Sequence, residues 1–349
     1  SLAGALKPGS VMAGRDLSLR LAASATVISD WAHPVVAIEN LSARSGEDQI
    51  HLSGTVDLHQ QTLALLGHVD KDLGSLMSAL GSTGRGLAHV SDIRVSGSPS
   101  NPTVMAHLQA EQAAVMDWEV QTLAGEVGFQ DGGIRATNIQ LATSWGNVAV
   151  AGLTLPLTSG RGPASHLVID NIVANGLDLS KVPMLTSFGL RGKANLAVKR
   201  VSFSTTNPMP SLSGEGTIEV PALTVAGKTF RQVDIAWFAD RGQIRLPRAR
   251  LDLAGGGQIE ASGLMDLVSK KLDASLTVTN VPLATLAGMK PDDLQGTISL
   301  SARADGTLSD PGLTAHADLA NVAYSGIRAT ALSLDVDRRP GGNLTVASD

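Results

Sequence analysis

Eight histidines are the side chains of this sequence best suited to acid–base or metal chemistry: His33, His51, His59, His68, His89, His107, His166 and His316. None falls in an H-x-x-x-H or H-x-H spacing, so no metal-ligand set is expected. His107 and His316 lie 209 positions apart. That spacing recurs below, and shared ancestry of the two segments explains it. The run Asp70-Lys71-Asp72-Leu73-Gly74 begins like a calcium loop but lacks the later oxygen ligands and a closing Glu. No phosphate-binding loop, G-x-S-x-G or dinucleotide fingerprint is present. The glycine-rich stretches Gly81 to Gly86 and Gly255 to Gly257 read as turns. The residues therefore point to a protein that is not an enzyme and carries neither metal nor cofactor.

What the chain does offer is apolar surface in period two. Val148 and Val150 share one face of a strand, followed by Leu153, Leu155 and Leu157 after a phase change at Gly152. Val233, Ile235 and Trp237 repeat the pattern, and Leu276 and Val278 alternate with Ser275, Thr277 and Thr279. Strands with one aliphatic and one Ser/Thr/Asp face are half-buried strands. An aliphatic face left uncovered by protein would take hydrocarbon, at about 0.8 kcal/mol per buried CH₂. The candidate lining of such a lipid groove is Val148, Val150, Leu153, Leu155, Leu167, Ile169, Val233, Ile235, Leu276 and Val278. The competing reading has these residues packed against one another in the closed core of a structural or adhesive module.

The elements that must position these residues are short strands. Turns rich in Gly, Asn and Asp recur every 8–12 residues, the mark of antiparallel β structure. Aromatic residues make up only 3% of the 349 residues and charged residues 17%, against 43% hydrophobic. A core so poor in Phe, Trp and Tyr is thin, which favours one long curved sheet over a thick globule. Helical spacing is confined to short segments at 73–80, 178–188 and 282–289. The net charge is −5 with no basic block, which argues against nucleic-acid binding. The absence of cysteine fits either a reducing compartment or an envelope protein without disulfides. The longest largely apolar run, Val148 to Leu157, is about half of what a spanning helix needs. The chain reads as a fragment of something longer.

A long period orders the strands. An Asx residue precedes proline at Asn101-Pro102, Asn207-Pro208 and Asp310-Pro311, at intervals of 106 and 103 residues. Each pair is expected to mark the start of a strand, because Asx begins a turn and proline removes a donor. A glycine followed four residues later by an aliphatic residue precedes each pair: Gly86 and Val90, Gly192 and Leu196, Gly296 and Leu300. A shift of 209 residues lays 49–127 over 258–336 without a gap, matching Ile50/Ile259, Gly97/Gly306, Pro102/Pro311 and His107/His316. Such a period indicates a stacked array whose function runs along a surface. The expected blocks are 1–71, 72–180, 181–280 and 281–349. The expected fold is all-β with a few short helices: an elongated, twisted, curved antiparallel sheet of repeats of about 100 residues.

The stretch Gly306-Thr307-Leu308-Ser309-Asp310-Pro311-Gly312-Leu313-Thr314-Ala315 resembles the recurring "G-x-L-x-D/N-P-x-L-x-G-x-L" pattern of the TamB/AsmA-like superfamily of bacterial envelope proteins, with Ala315 where Gly is common. Gly97 to Leu108 resembles it too, and the hairpin Leu251 to Gly263 looks like the family's other element. The copy at Pro208 departs: its upstream Gly is missing and Pro210 follows. In its Asp-Pro copies the sequence is more similar to TamB-like than to AsmA-like members. The resemblance implies an apolar β groove that conducts phospholipids between inner and outer membranes and supports outer-membrane biogenesis. It further implies a periplasmic location, a tether to the inner membrane outside this sequence, and an outer-membrane β-barrel partner of the full-length protein.

Overall fold

The computed structural model describes residues 20–28, 34–45, 48–72, 84–115, 118–156, 166–290 and 292–348. The fold is all-β, with three short helical turns among the described residues. Contacts divide the chain into two units, Ser1–Leu167 and Val168–Asp349.

Unit 1 carries β1 (Arg20–Val27), β2 (Val35–Ser45), β3 (Asp48–Asp57), β4 (Thr62–Asp72), β5 (Gly84–Ser98), β6 (Asn101–Val115), β7 (Trp118–Gln130), β8 (Gly133–Thr143) and β9 (Gly146–Pro156). Each strand pairs antiparallel with the next, a meander of hairpins. Unit 2 continues from β10 (His166–Asp178) through β11 (Arg191–Ser204), β12 (Ser213–Val220), β13 (Leu223–Val225), β14 (Lys228–Asp240) and β15 (Gln243–Leu253). It goes on with β16 (Gln258–Asp266), β17 (Lys271–Pro282), β18 (Leu294–Thr307), β19 (Asp310–Tyr324), β20 (Ile327–Arg338) and β21 (Thr345–Ser348). From β14 on, this too is a plain meander. The short β12 and β13 together fill one place between β11 and β14, split at Pro221, which can donate nothing to a ladder.

Two hairpins, one in each unit, share unusual local geometry. In β5–β6, Ser98 Oγ accepts the N–H of Asn101 at 3.1 Å, and Gly97 lies opposite Pro102. In β18–β19, Thr307 Oγ1 accepts the N–H of Asp310 at 3.2 Å, and Gly306 lies opposite Pro311. Neither proline faces a partner on its other side, where pairing starts only at Val104 and Leu313, so the missing N–H costs nothing. At the far end of each hairpin a left-handed residue faces a glycine. Gln112 (φ 50°) lies by Gly86 (φ 117°), and Asn321 (φ 54°) by Gly296 (φ 110°). The pairing register slips there in both, which makes each a β-bulge that bends the strand.

Asn207-Pro208 behaves differently. Pro208 opens a helical turn, Pro208–Ser211, and β12 starts only at Ser213. With Pro210 two residues on, this segment offers too few N–H groups for a ladder. The turn is fastened instead by Ser211 Oγ, which donates to Asn207 O and accepts the N–H of Ser204. The segment 178–188 holds a 3-10 turn at Pro183–Phe188, and 282–289 holds the helix Leu283–Ala287; both end on a left-handed glycine, Gly189 and Gly288. The segment 73–80 and Leu157 lie outside the described residues.

Candidate functional site

Strand register turns the period-two pattern into rows. In unit 2, Leu196, Ile218, Ile235, Ala249, Ala261, Leu276, Ala302, Ala315, Val336 and Val346 stand side by side across ten strands. A parallel row runs Val220, Val233, Leu251, Ile259, Val278, Leu300, Ala317 and Leu334. A third crosses Val201, Gly214, Ala239, Ile244, Met265 and Leu272. At about 4.8 Å per strand, the ten-strand row is about 43 Å long. An acyl chain spans one leaflet, about 15 Å.

The opposite face is polar. Its matching row reads Asn195, Glu219, Asp234, Arg250, Glu260, Thr277, Ser301, His316 and Asp335. Cross-strand ion pairs lace it, among them Arg303–Asp273 at 3.0 Å, Lys199–Glu215 at 3.2 Å and Arg248–Glu260. Arg250 is held above its ordinary pKa, chiefly by its hydrogen bond to Asp252. Such exposed pairs add about 0–1 kcal/mol each and mark a solvated surface.

On the apolar face of unit 2, Val198, Ala239 and Ala249 are 5%, 1% and 5% exposed, and one edge of the face is closed over. There the helix Leu283–Ala287 and the Gly255–Gly257 loop close over Leu253, Val278 and Val281, which are 2%, 7% and 0% exposed. Lys228 Nζ, from the start of β14, donates to the carbonyls of Thr285 and Leu286 (3.0 Å for the latter) and satisfies the helix C-terminus. Further along the strands the side chains are half-buried, including Ile218, Ile235, Ala261, Leu276, Ala302, Ala315 and Val336, and Val346 is 63% exposed. The described strands of unit 2 belong to one hydrogen-bonded sheet. Trp237 lies across Gly216, whose Cβ would stand 3.0 Å from its Cε2, and so spreads indole over the face where a side chain is missing.

Unit 1 repeats the arrangement. Ala25, Ile38, Gly54, Leu65, Val95, Val104, Phe129, Ile134 and Leu155 form one row across nine strands. Ala88, Ala110, Leu123, Leu141 and Val148 form another.

Each candidate lining residue is buried or half-buried. Val148 faces Leu141, Val150 faces Ile139, Leu153 faces Ala136 and Leu155 faces Ile134. The phase change read at Gly152 is a shared one. Asn138 (φ 53°) sits in β8 between the apolar pairs Ala136–Leu153 and Ile139–Val150, three residues apart, and lets both point to one side. In unit 2 the register brings Val233 and Val278 into one row and Ile235 and Leu276 into the next. Leu167 and Ile169 are half-buried on β10. Sequence periodicity missed Ala249, Ala261, Ala302 and Ala315, because alanine is uninformative until register places it in a row.

The polar faces of the two units carry His51, His68, His89, His107 and His316, and His33 lies outside the described residues. His51 stacks on His68 at 4.8 Å, and His89 pairs with Asp70. His316 Nδ1 bonds Asp335 at 2.7 Å while Nε2 faces Asp318 at 3.3 Å. The two carboxylates take opposite ring nitrogens, so the trio does not close on one ion. Among the described residues no His/Asp/Glu group is arranged to hold a metal. Ser301 stands opposite His316, yet its hydroxyl makes no bond to a ring already engaged on both sides. A shallow hollow of about 580 Å³ is lined by Ser275, Thr277, Ser301, Arg303 and His316 together with Leu276, Ala302, Ala315, Val336 and Val346 of the ten-strand row. No helix among the described residues is long and apolar enough to cross a membrane. No family model, curated protein or solved structure matches the chain.

Proposed function

We propose that the apolar faces of the two units conduct phospholipid acyl chains, as part of a periplasmic bridge that carries lipid between the inner and outer membranes. The observation that carries this reading is the ten-strand aliphatic row of unit 2, most of whose side chains are half-buried rather than sealed in a core. Water against such a row is costly, and hydrocarbon laid along it gains about 0.8 kcal/mol per CH₂. A row that runs across strands, with no polar side chain interrupting it, has no preferred stopping point, which suits movement along it. The TamB/AsmA-like resemblance of the Asp-Pro hairpins supports the same assignment, and with it a role in outer-membrane biogenesis with a β-barrel partner.

Mass spectrometry of the purified chain tests the proposal. Co-purified phospholipid in at least stoichiometric amount is expected. A chain that emerges free of lipid and takes up none from vesicles would favour the scaffold reading instead.

A further inference from the structure

His316 lies five residues after Pro311 in β19, as His107 lies five residues after Pro102 in β6, and both stand between two carboxylates. For His107 these are Asp92 at 3.4 Å and Glu126 at 3.7 Å. The surroundings of His316 are the more one-sided. On its own strand it faces Asp318; on β20, Asp335 lies opposite and Asp337 diagonal; on β18, Ser301 lies opposite and Arg303 diagonal. From β21, Thr345 and Ala347 add no charge. Both nearby arginines are committed, Arg303 to Asp273 of β17 at 3.0 Å and Arg338 to Asp310 at 3.2 Å. Two carboxylates, Asp318 and Asp335, thus share one imidazole, with Asp337 diagonal to it.

We propose that His316, Asp318 and Asp335 form a pH-operated latch that ties β19 to β20. An imidazolium donates from both ring nitrogens and holds both carboxylates. A neutral ring donates from only one, so one carboxylate loses its bond to the ring, although Asp318 keeps the hydroxyl of Ser333 at 2.7 Å, and Asp318, Asp335 and Asp337 stand as like-charged neighbours. Beyond β20, only Leu334 to Asp337 pair with β21, so among the described residues its first half, Ile327 to Ser333, is held by the β19 ladder on one side only. The hydrogen bond to Asp335, then the charge of Asp318, raise the pKa of His316. A raised folded-state pKa stabilises fully below the unfolded value, and that contribution is lost as pH rises through the folded value. The latch is closed in mild acid and open in mild alkali.

Amide hydrogen exchange of the whole chain at about pH 5.5 and about pH 8.5, corrected for intrinsic rates, tests this. Opening of β20 is expected to rise about twofold or more at the higher pH. H316Q is expected to show the open-state exchange at both. Equal pH dependence in wild type and H316Q overturns the latch. Should H316Q fail to fold, D335N and an imidazole NMR titration of the wild type decide. A His316 midpoint at or below that of ordinary histidine refutes it, and a raised midpoint that D335N lowers supports it.

Discussion

Aspartate at Ile235 and aspartate at Val281 should have opposite severity, although both replace a β-branched aliphatic residue on the same face of unit 2. Ile235 is half-buried between Ile218 and Ala249. Val281 is 0% exposed and packs with Leu253 and Val278 under the helix Leu283–Ala287. Full burial of such a side chain is worth about 1.5–3 kcal/mol. At Ile235 only part of that is lost, and a carboxylate there reaches water across a half-buried face. I235D is expected to cost about 1–2 kcal/mol. V281D loses the whole transfer term, opens a cavity and strands a charge in a dry site, for about 4 kcal/mol or more. Urea unfolding followed by circular dichroism measures both. The accompanying expectation is that I235D, still folded, passes no lipid. If I235D is as destabilising as V281D, the row is sealed and the reasoning fails.

Asn321 is one of the left-handed residues that bend the strands, so N321A is expected to cost about 1–2 kcal/mol while N321G stays close to wild type, as read by thermal unfolding. Asp266 accepts the N–H groups of Val268 and Ser269, at 2.9 and 2.7 Å, and its pKa is lowered chiefly by the bond from Ser269. A depressed carboxyl contributes stability above its unfolded pKa and loses it as pH falls through the folded one. D266N should therefore weaken unit 2 at neutral pH and match the wild type in acid, a difference that urea titrations at the two pH values would show.

The strands were legible because their faces differ so sharply. Leu276 and Val278 between serines and threonines admit little but a half-buried strand, and the structure places both in β17. The rows were less legible, because a row is a property of register. Nothing in the local sequence tells Ala249 or Ala302 that an isoleucine or leucine stands beside it. Bulges shift register at Asn138, Asn280 and Asn321, and an asparagine inside an aliphatic alternation is the signal that could have located them. The Asn207-Pro208 pair misled because proline serves a strand start and a helix start equally, and only the second proline, Pro210, distinguished this copy. The His316 cluster joins residues from adjacent strands and has no signature along the chain. Helical spacing at 178–188 overstated a 3-10 turn that runs only from Pro183 to Phe188, since leucines that cap a sheet edge mimic an amphipathic helix.

Photo-crosslinking along the apolar face tests the central claim most directly. A photoreactive residue at Ile235 or Leu276, on the half-buried part of the row, is expected to capture phospholipid in an envelope preparation. The same residue at Thr277, on the polar face, is expected to capture none. Adducts absent from both row positions, or equally abundant at Thr277, would contradict the account.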